Sequence, residues 1–141
     1  MIEIINRQRS RKIEPAAWRG FAERALHSIK PAPASATVVF VSDAAIRKLN
    51  KQFRGKDYAT DVLSFPTAAE AFESPNESHI GDVVISVERA AAQAKANGLT
   101  FENEVQQLVL HGLLHLCGYD HETDNGEMNR VELQLRSKLE I

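Results

Sequence analysis

The sequence predicts an α/β fold of the α+β kind, with a mixed four-stranded sheet packed against about five helices. Three observations carry that expectation. Short β-branched runs alternate with stripes of helical period in the order β-α-β-α-β-β-α-α-α. Helices standing between strands give parallel neighbours, whereas the strands near residues 61–65 and 80–85 have no helix between them and can pair antiparallel. The length of 141 residues, 43% of them hydrophobic, suits one core, so residues 1–141 are expected to form a single domain.

The elements follow in order. Residues 1–6 hold Ile2, Ile4 and Ile5 and read as a strand. Pro15 suits a first helical turn, and Trp18, Phe21, Ala22, Ala25 and Leu26 recur as one apolar stripe up to about Ser28. Residues 36–41 form a near-continuous apolar run, expected of a strand covered on both faces. Ser42 or Asp43 then caps a second helix carrying Ile46, Leu49 and Phe53. Residues 54–60 are polar and contain Gly55, so they read as a loop, and residues 61–65 read as a strand stopped by Pro66. Residues 67–79 are too polar for a core and make a long loop. A strand over 80–85 leads to a helix capped by Ser86 and closed by Gly98. Residues 100–117 place Val105, Leu108, Val109, Gly112, Leu113 and Leu116 on one stripe, and Asp124 with Glu127 has capping-box spacing for a last helix ending at Leu139.

Composition narrows the function. A lone cysteine, Cys117, makes no intramolecular disulfide, no leader pattern opens the chain, and no apolar run reaches the ~20 residues of a membrane span. A reducing cytoplasmic location with no membrane association is expected. Net charge is −2, but residues 1–56 carry +8 and the remainder −10. That division either marks a face for polyanions or cancels once the halves interleave.

The chemistry concentrates in His111-Gly-Leu-Leu-His115-Leu-Cys-Gly118-Tyr-Asp-His121. His111 and His115 are one turn apart on one helix face, and Gly118 can turn the chain so that His121 reaches the same metal ion. Three imidazoles leave a fourth tetrahedral position of Zn2+ open for water, unless Asp120 or another side chain closes it. Imidazoles also suit nickel, copper and cobalt. Cys117 lies on another side of the helix and reads as packing. The spacing equals that of the metzincin proteases, H-E-x-x-H-x-x-G-x-x-H, except that Gly112 stands where they carry the glutamate base. A peptidase mechanism therefore lacks its proton acceptor. Phosphodiester hydrolysis needs activated water and cations near phosphate, and Arg54 offers a planar fork for phosphate if it is not simply a solvated arginine. Asp61 and Asp82 either orient a histidine or face solvent, and Ser64 is either a polar contact or an ordinary strand residue.

The motifs Leu49-Asn-Lys-Gln-Phe-Arg54-Gly-Lys-Asp57, Thr60-Asp-Val-Leu-Ser-Phe-Pro66, Gly81-Asp-Val-Val-Ile-Ser86 and the triple-histidine segment together resemble the YbeY family of metal-dependent endoribonucleases, in the family's order. The resemblance implies a single-strand-specific endoribonuclease acting in 3′-end maturation of small-subunit (16S) rRNA and in ribosome quality control. It implies zinc on His111, His115 and His121, with His111, His115 and Arg54 taking part in the chemistry. Implied partners are single-stranded RNA, small-subunit ribosomal proteins, a ribosome-associated GTPase and an exoribonuclease. Two other readings stand beside it: a non-catalytic ribosome-assembly factor with a structural zinc, and a zinc hydrolase of another substrate.

Overall fold

The computed structural model describes residues 1–33, 35–67, 79–120 and 122–141. Among the described residues, nine elements run in the expected order: β1 (Ile2–Asn6), α1 (Pro15–Ser28), β2 (Ser35–Val41), α2 (Asp43–Arg54), β3 (Val62–Pro66), β4 (His79–Ser86), α3 (Val87–Asn97), α4 (Phe101–Leu116) and α5 (Glu127–Leu139). The sheet order is β1-β2-β4-β3. β1 and β2 pair parallel, as do β2 and β4, while β3 runs antiparallel to β4 with Leu63 opposite Val84. The mixed character of the sheet is the one the element order implies, whereas the strand order, which the sequence leaves open, puts β3 at an edge.

Strand alternation divides the core. Ala36, Val38 and Phe40 of β2, with Val83 and Ile85 of β4, turn to one face, where they meet Phe21 and Leu26 of α1, Ala90 of α3, Leu110, Leu113 and Leu114 of α4, and Met128 of α5. Val41, Val84 and Leu63 turn to the opposite face, where Ile46 of α2 covers them in a smaller cluster. α4 is the centre of the larger layer and approaches the sheet most closely at Gly112. A Cβ at Gly112 would lie 2.5 Å from Val83 Cγ1, well inside van der Waals contact. The glycine is there because helix and strand touch at that point, and any larger residue would push them apart.

Two sequence expectations are corrected, and one apolar residue of α2 lies outside the core. Phe53 does not join the buried face of α2: it is 59% exposed, and its ring lies edge-on to Phe65 at 5.3 Å, because the helix has run past the sheet edge by that turn. Arg54 is not a loop residue but the last residue of α2, with Gly55 as its left-handed cap at φ 68°. Asp124 does not open α5 by a capping box with Glu127. Gly126 occupies the position before the helix, and the Asp124 carboxylate accepts from the N–H groups of Gly126 at 2.8 Å and Met128 at 2.9 Å, serving the same orphan donors from further upstream. The expected loop over 67–79 lies, for residues 68–78, outside the described residues.

Candidate active site

α4 supplies the histidines. Thr100 caps it by accepting from the Asn103 N–H at 3.0 Å, and its other end closes where Gly118, at φ 99°, turns the chain and the Tyr119 N–H bonds back to the Leu114 carbonyl at 3.1 Å. A left-handed glycine there is what the sequence called for. With the helix fixed at both ends, His111 and His115 stand on successive turns with ring centroids 4.8 Å apart and planes at 75°. Both line a cleft of about 360 Å³ together with Arg54, Asp61, Val62, Ser64, Pro66, Asp120 and Glu122.

Three elements thus converge on one cavity. α2 brings Arg54 round the β3 edge, β3 brings the Val62, Ser64 and Pro66 side, and α4 brings the imidazoles. β3 and α4 are joined directly, since the Ser64 hydroxyl donates to the Gly112 carbonyl at 3.2 Å. Asp61 opens β3 by accepting from the Val62 N–H at 2.8 Å. Asp120 folds the segment after α4 by accepting from the Glu122 N–H at 3.0 Å.

Of the residues singled out from sequence, Arg54, Asp61, Ser64, His111, His115 and Asp120 come together here. Asp82 does not: it turns to the α2 face beside Val84 and Thr37, within 3.5 Å of His79 Nε2. Cys117 packs against the main core, where burial pushes its thiol pKa up, in keeping with packing rather than reactivity. His121 lies outside the described residues. Among the described residues, no three of His, Cys, Asp and Glu converge as a metal-holding group.

One residue escaped the sequence reading. Glu132 of α5 is 8% exposed, its Oε1 lies 2.6 Å from His111 Nδ1, and its Oε2 accepts from Arg136 at 2.8 Å. Burial raises the pKa of this carboxyl, but the hydrogen bond with His111 and the charges of His111, Arg136 and His115 outweigh it and hold the group below the usual carboxylate range. The available signal was an acid on the inward stripe of a helix otherwise carrying Met128, Val131, Leu135 and Leu139. An uncompensated acid there would cost several kcal/mol, so its presence asks for partners.

An α+β fold that gathers two helix-borne histidines, an arginine and several carboxylates in one polar cleft has the groups a hydrolase needs to act on an anionic substrate. The sequence matches the family described as endoribonuclease YbeY over residues 3–140, and the chain belongs to that family. It is 38% identical over 136 residues to the endoribonuclease YbeY of Geobacter metallireducens, covering 96% of this chain and 91% of the relative. It is 40% identical over 130 residues to that of Chelativorans sp., covering 87% and 80%. With the Solibacter usitatus protein of the same name it is 48% identical over 101 residues, a stretch that covers 72% of this chain and 63% of that relative's length. The solution structure of TM1509 from Thermotoga maritima superposes with a TM-score of 0.66 at 29% identity, over 99% of this chain and 89% of that one.

Proposed function

We propose that the protein is a zinc-dependent, single-strand-specific endoribonuclease acting in 3′-end maturation of small-subunit rRNA. The observation that carries the reading is the shared cleft, in which Arg54 faces a cavity that His111 and His115 also line. His111, His115 and His121 would hold the metal. The donor set fits: two imidazoles on one helix face open onto one cavity, and a carboxylate engages the ring of His111 from behind. When bound, zinc supplies Lewis acidity toward water and phosphate oxygens.

The chain's own residues then divide the work. The Arg54 guanidinium, always charged and planar, grips non-bridging phosphate oxygens and offsets charge that builds up during cleavage. Its place at the last turn of α2 fixes its direction of approach. Val62 and Pro66 supply a dry wall. Asp61, Asp120 and Glu122 keep the rest of the cleft anionic, so a phosphate is favoured only beside Arg54 and the metal. Gly112 confines its backbone to the helix–sheet contact and leaves no room for a glutamate base, which argues against a peptidase. An unpaired RNA backbone can bend into such a cleft more readily than a rigid duplex. Small-subunit ribosomal proteins, a ribosome-associated GTPase and an exoribonuclease are the accompanying partners of this reading, and the cytoplasm its location. Among the described residues, no helix is long and apolar enough to cross a membrane.

The test is cleavage of a labelled single-stranded RNA and its duplex by the zinc-loaded protein, with His115→Ala and Arg54→Ala purified in parallel. The expected result is cleavage of the single strand by the wild type, none by His115→Ala, and a loss of about 100-fold or more with Arg54→Ala. Equal cleavage by all three preparations, or full metal occupancy with no turnover, would sink the nuclease reading and favour the assembly factor.

A further inference from the structure

α5 crosses behind the histidine helix and contributes Met128 to the main core. Where its inward stripe faces His111 it carries not another apolar side chain but Glu132, and both carboxylate oxygens are engaged, one with His111 Nδ1 and one with Arg136. A Leu or Met of similar volume would dock α5 on α4 without the cost of burying charge. The polar arrangement therefore asks for a role beyond packing.

Its geometry supplies one. A carboxylate paired with a guanidinium only accepts hydrogen bonds, so at 2.6 Å the His111 Nδ1 must be the donor. With its proton on Nδ1, a neutral His111 ring carries its lone pair on Nε2, and the ring plane is pinned by the same bond. Arg136, one turn further along α5 and 2.8 Å from the other oxygen, fixes the carboxylate in turn. Glu132 stands outside the cleft lining that His111 and His115 share.

We propose that Glu132, braced by Arg136, is a positioning residue that sets the tautomer and orientation of His111 so that Nε2 is presented as a metal donor, making α5 a working part of the metal site rather than a cover for the core. This rests on the reading of His111 as a ligand. It also raises ligand basicity, because the carboxylate draws on the Nδ1 proton and enriches the ring.

The experiment measures metal affinity and fold stability separately on the full chain. Metal-free wild type, Glu132→Gln, Glu132→Ala and His111→Ala are titrated with Zn2+ against a chromophoric chelator, and Co2+ spectra are recorded in the visible range. Thermal midpoints are taken without metal. The expected result is a loss of zinc affinity of about 10- to 100-fold in Glu132→Ala with an altered cobalt spectrum. Glu132→Gln, whose amide oxygen can still accept from Nδ1, should lose less and keep a metal-free midpoint near that of the wild type. Should Glu132→Ala not fold, Glu132→Gln alone decides by its affinity and spectrum. Wild-type affinity and spectrum in every Glu132 variant that folds, with or without a lowered midpoint, would overturn the inference while leaving His111 a ligand. Wild-type protein that takes up no metal, or a His111→Ala variant that binds as well as wild type, would overturn the metal reading and this inference with it.

Discussion

On one face of the sheet, α1, α3, α4 and α5 bury Phe40, Leu110, Leu113, Leu114 and Met128 almost completely; on the other, among the described residues, α2 covers Val41, Leu63 and Val84 with Ala59 beside it, and Ile46 is the helix's one fully buried apolar residue. Beside α2, a groove bordered by Ile5, Val39, Lys48 and Asp82 stays open. The thick layer gives α4 a rigid bed, held in its C-terminal half by Gly112 against Val83 and at its ends by Thr100 and Gly118. The thin layer lets α2 run past the β3 edge, so its last turn can carry Arg54 to the cavity. One face supplies the precision that two imidazoles need, and the other supplies the reach of a cation. A site at the meeting of a packed layer and a sheet edge can be both ordered and open.

That contrast can be broken by measurement. Leu113→Ala empties a fully buried place in the thick layer and should cost about 2–5 kcal/mol in urea unfolding. Leu49→Ala removes a half-buried side chain from the α2 face and should cost less than half as much. Equal losses would mean that the two faces contribute alike. A sharper probe is the close approach itself. Gly112→Ala should cost about 1–3 kcal/mol through its clash with Val83, and the Val83→Ala/Gly112→Ala double variant should be more stable than the two single losses added together predict. Additive losses would show that helix and strand can separate without strain.

The smallest effect belongs to the surface of α2. Arg47 meets Asp57 at 2.9 Å with both side chains more than half exposed. The hydrogen bond from Arg47 holds the Asp57 carboxyl below the usual carboxylate range. A depressed native value makes any stabilisation present above the ordinary carboxylate pKa and lost as pH falls through the depressed one. Solvent screens the pair, so Asp57→Asn should move the thermal midpoint at pH 7 hardly at all, and slightly less again at pH 3. A clear drop at pH 7 would show that α2 depends on this contact for its seat.

Much of the fold was readable because its signals are local. Pro15, Ser42, Ser86, Thr100, Gly98 and Gly118 mark element ends by their own backbone preferences, and observed boundaries fall close to the expected ones. Phe53 shares the helical spacing of Ile46 and Leu49 yet stays exposed, because periodicity says which face a residue takes but not where the partner surface stops. Asp124 misled because an upstream side chain can serve a helix that begins three residues later. In the site, His111 and His115 were legible from spacing, since a helix places i and i+4 together whatever lies around it. Glu132 was not, because its partner is 21 residues away and on another helix.

The sequence by itself determined the element order and the helix-borne histidine pair, because each depends on interactions within a few residues; it also displayed Gly112 in place of a glutamate and left room for one antiparallel strand pair. Tertiary structure alone decided that Arg54 reaches the histidine cleft while Asp82 turns away from it, that Gly112 is demanded by Val83, and that a buried carboxylate on α5 engages His111. Those depend on which surfaces meet after the chain has packed, and packing is a property of distant residues brought to contact distance, which no local pattern encodes.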